Sequence, residues 1–90
     1  MPWRIVSTKE FSKSFKKYSK DGKFVRSLEK KIEKLEESPE RVGGHLSGRL
    51  HGFRSTRIIK KFRLVFKIDE KKSCVYLVGI DHRKFNYRNF

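Results

Sequence analysis

Residues 62–69 alternate without a break: Phe62, Leu64, Phe66 and Ile68 share one parity, and Arg63, Val65 and Lys67 the other. Successive side chains of an extended chain point to opposite faces. The pattern therefore predicts a strand with an apolar face turned to a core and a second face that carries cations. Two further β-prone runs flank it, at about 53–60 and 73–80. The links between the three runs, at Lys60-Lys61 and at "EKKS" (70–73), are too short for the crossover that a parallel pair needs. The three strands therefore form an antiparallel meander.

A sheet with one apolar face needs a cover, and the first half of the chain supplies it. "WRIVS" reads as an opening strand. Ser7 and Glu10 follow at the spacing of a capping box. Phe11, Phe15 and Tyr18 then recur at i, i+4 and i+7, the stripe of a first helix. That stripe reads as core packing rather than a ligand box, because the sheet must be covered. "SKDG" supplies turn chemistry. A second helix runs from about Phe24 to Glu37, with Phe24, Val25, Leu28, Ile32 and Leu35 on one face and Lys and Glu on the other, and Pro39 ends it. The expected order is β-α-α-β-β-β. This is a two-layer α+β fold with two antiparallel N-terminal helices on one face of a mainly antiparallel four-stranded sheet and the opposite face open. Residues 1–90 make a single domain, too small for a large internal cavity, so any chemistry belongs on an open surface or a shallow groove.

Between helix and meander lies "RVGGHLSGRLHG", with four glycines between positions 43 and 52. No Gly-Lys-Ser/Thr follows and no helix begins there, so it is not a phosphate-cradling Walker loop. It reads as an irregular connector in which backbone approaches backbone closely. Cys74, the single cysteine, excludes an intrachain disulfide and reads as a small buried residue. The N-terminus lacks a signal-like apolar run, and no segment is long enough to cross a membrane, which places the expected site of action in the cytoplasm. His45, His51, His82 and Cys74 show no metal-ligand spacing, so neither a metal nor a cofactor is expected.

Charge carries the functional signal. The chain has 24 Lys+Arg against 10 Asp+Glu, a formal net charge of +14. Such a chain repels itself unless a polyanion supplies counter-charge, and its acids are too few for the ion-pair networks of a heat-adapted surface. A nucleic acid is the expected partner. Residues 51–68 concentrate three arginines and three lysines on the predicted hairpin. A two-residue loop at Lys60-Lys61 would pair Arg57 with Leu64 and drive a guanidinium into the core, which costs several kcal/mol by about the usual penalty for an unpaired buried charge. An odd-length loop or a bulge, pairing Ile58 with Leu64, sets Arg57 on the same face as Arg63. Arg54 takes the opposite parity near the strand start and can curl round the edge. Solubility alone would be served equally by lysine or threonine, whereas paired guanidiniums suit bidentate phosphate contact. The basic tail, with Arg83 and Lys84, belongs near the same face. His82, between Asp81 and Arg83 and directly after the last strand, is either an exposed loop histidine or a proton-transfer group. His45 and His51 sit in the connector within reach of that face.

The segment "HLSGRLHGFRSTRIIKKFRLVFKID" followed by "VYLVGIDHRKFNY" resembles the RelE/ParE superfamily of type II toxins, and most closely the RelE and YoeB mRNA interferases. The resemblance rests on Leu-x-Gly, a Gly-aromatic start, Arg-Ile, aromatic-Arg-Leu-Val-Phe and a closing His-Arg with a tyrosine. It covers the last half of the chain, while the first half matches in layout. It implies a growth-arresting toxin that cuts mRNA on the ribosome without metal and is silenced by a cognate antitoxin through an acidic or amphipathic segment, in a toxin–antitoxin hetero-oligomer. By the same resemblance Arg63 contacts the scissile phosphate, Arg57 matches the arginine before the hairpin turn, and His82 and Tyr87 are the proton-transfer and stacking pair; Arg54, Arg57, Arg83 and Lys84 are expected to hold RNA by their charge. The chain departs from the YoeB pattern at Gly43-Gly44, where a catalytic glutamate would stand nearby. The nearest acid is Glu40. Two other classes compete: a ParE-like toxin that poisons gyrase through a protein interface, and a basic RNA- or ribosome-binding protein without chemistry.

Overall fold

The computed structural model describes residues 2–46, 48 and 51–83. β1 (Arg4–Ser7) leads into α1 (Lys9–Tyr18) and α2 (Gly22–Glu37), and a single 3₁₀ turn (Pro39–Arg41) follows. The chain then forms β2 (Gly44–His45), β3 (Arg54–Arg57), β4 (Phe62–Asp69) and β5 (Cys74–His82). The sheet runs β1-β5-β4-β3-β2, with β1 parallel to β5 and every other pair antiparallel. The expected two layers and the meander are present. The sheet has five strands rather than four, because Gly44 and His45 of the glycine-rich connector pair with Ser55 and Arg54 at the edge.

Local chemistry accounts for the element ends. α1 is capped one residue later than the Ser7–Glu10 spacing suggests. Thr8 Oγ1 accepts from the Phe11 amide at 3.1 Å and itself donates to the Leu77 carbonyl at 2.8 Å, so one hydroxyl caps the helix and ties it to β5. Asp21 caps α2 by accepting from the Lys23 and Phe24 amides. α2 ends at Ser38, ahead of Pro39. Phe11, Phe24, Leu28 and Leu35 from the helices meet Ile58, Leu64, Phe66, Val75, Leu77 and Ile80 from the sheet in one core.

Gly43 shows why the connector needs glycine. Its φ is +65°, and a Cβ there would stand 1.9 Å from the Ser55 carbonyl oxygen. Gly43→Ala combines a left-handed conformation that disfavours Cβ by about 1–2 kcal/mol with a backbone clash. A loss of unfolding free energy of at least that amount, read as a lower urea midpoint, is expected. An unchanged midpoint would mean that the connector takes up the methyl by moving away from β3.

The face away from the helices is not bare. Val65, Cys74 and Asp81, all on that side, are buried, and Arg4 donates to Cys74 Sγ at 3.1 Å. The expectation of an open second face is therefore corrected in part: Arg57 and Lys67 are exposed on it, whereas Val65, Cys74 and Asp81 are not.

Candidate functional site, a cationic recess

The β3–β4 hairpin closes through Ile59, Lys60 and Lys61, with Lys60 at φ +52° and the Ile58 amide bonded to the Phe62 carbonyl at 2.9 Å. This three-residue loop with a left-handed position pairs Arg57 with Arg63 and Thr56 with Leu64. The loop is of odd length, as the charge argument required. The register differs by two residues from the expected Ile58–Leu64 pairing, and a shift of two leaves every side chain on its face. Arg57 and Arg63 accordingly stand side by side on the side away from the helices. Ser27 of α2 donates to the Ile58 carbonyl at 2.5 Å and anchors the hairpin next to Arg57.

Arg83, the residue after β5, joins them, because its amide bonds to the Lys61 carbonyl at 2.7 Å. Arg57, Lys60, Lys61, Arg63 and Arg83 line a surface recess of about 300 Å³, with no carboxylate among its described lining residues. Like charges directly opposite one another destabilise a strand pair. The Arg57–Arg63 pairing is thus a standing electrostatic cost that an anionic ligand relieves. The nearest counter-charge is Asp81, cross-strand from Arg63, with Oδ2 3.6 Å from an Arg63 terminal nitrogen. A planar fork offering parallel donors grips two oxygens of one phosphate, while lysines add charge without geometry.

The structure separates several residues that the sequence grouped. Arg54 is not among the described residues of this recess. It is 9% exposed, and its guanidinium donates to the Glu40, Val42 and Gly43 carbonyls and meets His45 Nε2 at 2.9 Å. It is a clamp for the segment after α2, set apart from Arg57 and Arg63. His45 and His51 line a different recess, with Glu40, Arg54 and Glu70. His82 is neither in a loop nor on the arginine face. It ends β5 opposite Phe62, and its ring stands edge-on to Phe62 (centroids 5.0 Å, 88°), which packs against Tyr18 and Phe24 of the helical layer.

The cause is a bulge. From Cys74 to Leu77, β5 pairs with β4 in one register; from Gly79 to His82 it pairs one residue further along. An inserted residue inverts the alternation beyond it. An unbroken register would set Ile80 opposite Arg63 and Asp81 opposite Phe62. The bulge instead turns Ile80 and His82 to the core side and Asp81 to the arginines. Lys60 and Lys61, read from sequence as loop residues only, belong to the site; their signal was the unbroken run Arg57 to Arg63 with cations at both ends. Lys84 and Tyr87 lie outside the described residues.

Two helices on a mostly antiparallel sheet, with guanidiniums gathered at the central hairpin, define a small basic toxin of the RelE/ParE class. The chain belongs to the family of ParE toxins of type II toxin–antitoxin systems (parDE), whose sequence model matches residues 5–87. It is 34% identical over 87 residues to a protein of Methanocaldococcus jannaschii provisionally named toxin RelE4, covering 96% of this chain and 92% of that one. Among solved structures it is similar to the toxin–antitoxin complex RelBE2 of Mycobacterium tuberculosis (TM-score 0.72, 28% identity, 92% and 93% of the two chains). The YoeB/ParE toxin of Agrobacterium tumefaciens shares the fold (TM-score 0.77, 18% identity, 88% and 96% of the two chains).

Proposed function

We propose that this toxin is an endoribonuclease that cleaves mRNA on the ribosome. The observation that carries the reading is the recess in which five cations converge, with no acid among its described lining residues, and two guanidiniums face each other across a strand pair. Metal-independent RNA cleavage needs a base that takes the proton of the 2′-OH, that oxygen in line with the phosphorus, stabilisation of charge on the phosphorane and a proton for the leaving 5′-oxygen. Arg63 is assigned to the developing charge, a task in which one well-placed donor is worth about 10²–10³ in rate. Arg57, Arg83 and Lys84 hold the backbone on either side without reading sequence. Proton transfer is assigned to His82 and Tyr87. His82 would act from the end of β5, across the sheet edge from the recess. The mycobacterial relative is a complex with its antitoxin. We extend this to an acidic or amphipathic antitoxin segment that binds this domain in the cytoplasm. No helix among the described residues is long and apolar enough to cross a membrane.

A second reading, a ParE-branch toxin that poisons gyrase by binding alone, is favoured by the family description and by the turning of His82 away from the arginines. Induction in a test host with mapping of mRNA 5′ ends separates the two. New ends inside translated codons within minutes are expected. An early stop of DNA replication with intact transcripts would establish the second reading, and ribosome association without growth arrest would leave a binding protein.

A further inference from the structure

We propose that Asp81 is a positioning residue, whose buried carboxylate holds the Arg63 guanidinium on the floor of the cationic recess in the orientation that meets a phosphodiester oxygen. Arg57, Arg63 and Asp81 form one row across β3, β4 and β5, each the cross-strand partner of the next. The Asp81 side chain is 1% exposed, whereas that of Arg63 is 29% exposed. An anchored anion thus stands behind a half-presented cation. The 3.6 Å contact is longer than the roughly 2.7–2.9 Å of a charge-assisted hydrogen bond, so between these two atoms the attraction is one of charge.

The backbone is arranged to produce this pair. Only the bulge in β5 brings Asp81 to the arginine side, and bulges beside functional sites commonly re-aim a side chain. A carboxylate that lowers the net charge of an anion-binding recess weakens general attraction for a polyanion. Its placement is therefore explained by direction rather than by affinity. A free arginine samples many rotamers, and a displacement of about 1 Å at a reacting centre can cost on the order of 10²-fold in rate. The catalytic half of the inference rests on the RNA-cleavage reading, while the holding of Arg63 does not.

The test uses the full chain made by cell-free synthesis, with Asp81→Asn and Asp81→Glu. Two quantities are measured: the Arg63 side-chain Nε–Hε resonance, assigned through Arg63→Lys, and the kcat and KM for cleavage of mRNA on programmed ribosomes. In Asp81→Asn the Arg63 resonance should collapse into the exposed-arginine cluster while those of Arg57 and Arg83 stay. The kcat should fall by about 10-fold or more. KM should stay level or drop, because the recess gains net positive charge, and Asp81→Glu should restore part of kcat. An Arg63 resonance unmoved in Asp81→Asn overturns the proposal. So does a fall of kcat in step with the melting temperature that glutamate does not rescue, since that marks simple unfolding. If the wild-type chain cuts no mRNA, the nuclease reading fails by itself, and the resonance still decides whether Asp81 holds Arg63.

Discussion

Arg63→Ala should abolish growth arrest, with mRNA cleavage reduced by about 10²–10³, the usual worth of a donor aimed at developing oxyanion charge. Its effect on the fold will not be zero. Truncation removes the cation beside a carboxylate that is 1% exposed, and breaking a buried pair from one side is destabilising. Arg63→Lys is the necessary companion, because it leaves a charge near Asp81 but loses the planar fork. Circular dichroism should show a folded Arg63→Lys that melts near the wild type, while 5′-end mapping shows cleavage reduced at least about 10-fold, intermediate between the wild type and alanine. Full toxicity in both variants would remove Arg63 from the chemistry.

Arg54→Ala should do the opposite: the site survives and the fold weakens. The guanidinium reaches three backbone carbonyls of the segment after α2 and His45 of the edge strand. Each buried acceptor left without its donor costs about 1–3 kcal/mol, and water can serve those nearest the surface, so a loss of about 2–4 kcal/mol is expected. For a domain of this size that corresponds to a fall in Tm of roughly 10–20 °C. At a temperature where the variant is still folded, its affinity for a single-stranded RNA oligonucleotide should match the wild type, because Arg54 does not line the recess. A variant that melts normally but binds RNA weakly would make Arg54 a contact residue after all.

Much of the architecture was legible in residue order. The strand predicted at Phe62 to Asp69 matches the bounds of β4, and the stripes of α1 and α2 turn to the core, Phe11, Phe24, Leu28 and Leu35 buried and Phe15, Tyr18, Val25 and Ile32 half-buried. Burial is what makes such patterns readable, since a face that must meet a core excludes charge. The arginine pair was legible for the same reason: only one parity of the hairpin keeps Arg57 out of the core. The two-residue β2 carries no periodicity to read, and the cap at Thr8 rather than Ser7 turns on a bond to Leu77, which lies 69 positions away. Arg54 was placed on the correct parity, yet nothing local says that carbonyls from residues 40–43 would enclose it.

Residue order by itself determined the layers, the meander and the convergence of Arg57 and Arg63, because each follows from keeping charge out of an apolar interior. Tertiary structure alone decided which neighbour Arg63 receives from β5. One extra residue near Gly79, its glycine the only local hint, inverts the parity of the strand end. That sends His82 to the aromatic core and brings Asp81 to the cations. The physical reason is that an alternation of period two carries no memory of its phase. The packing of a whole strand end against two neighbours chooses it.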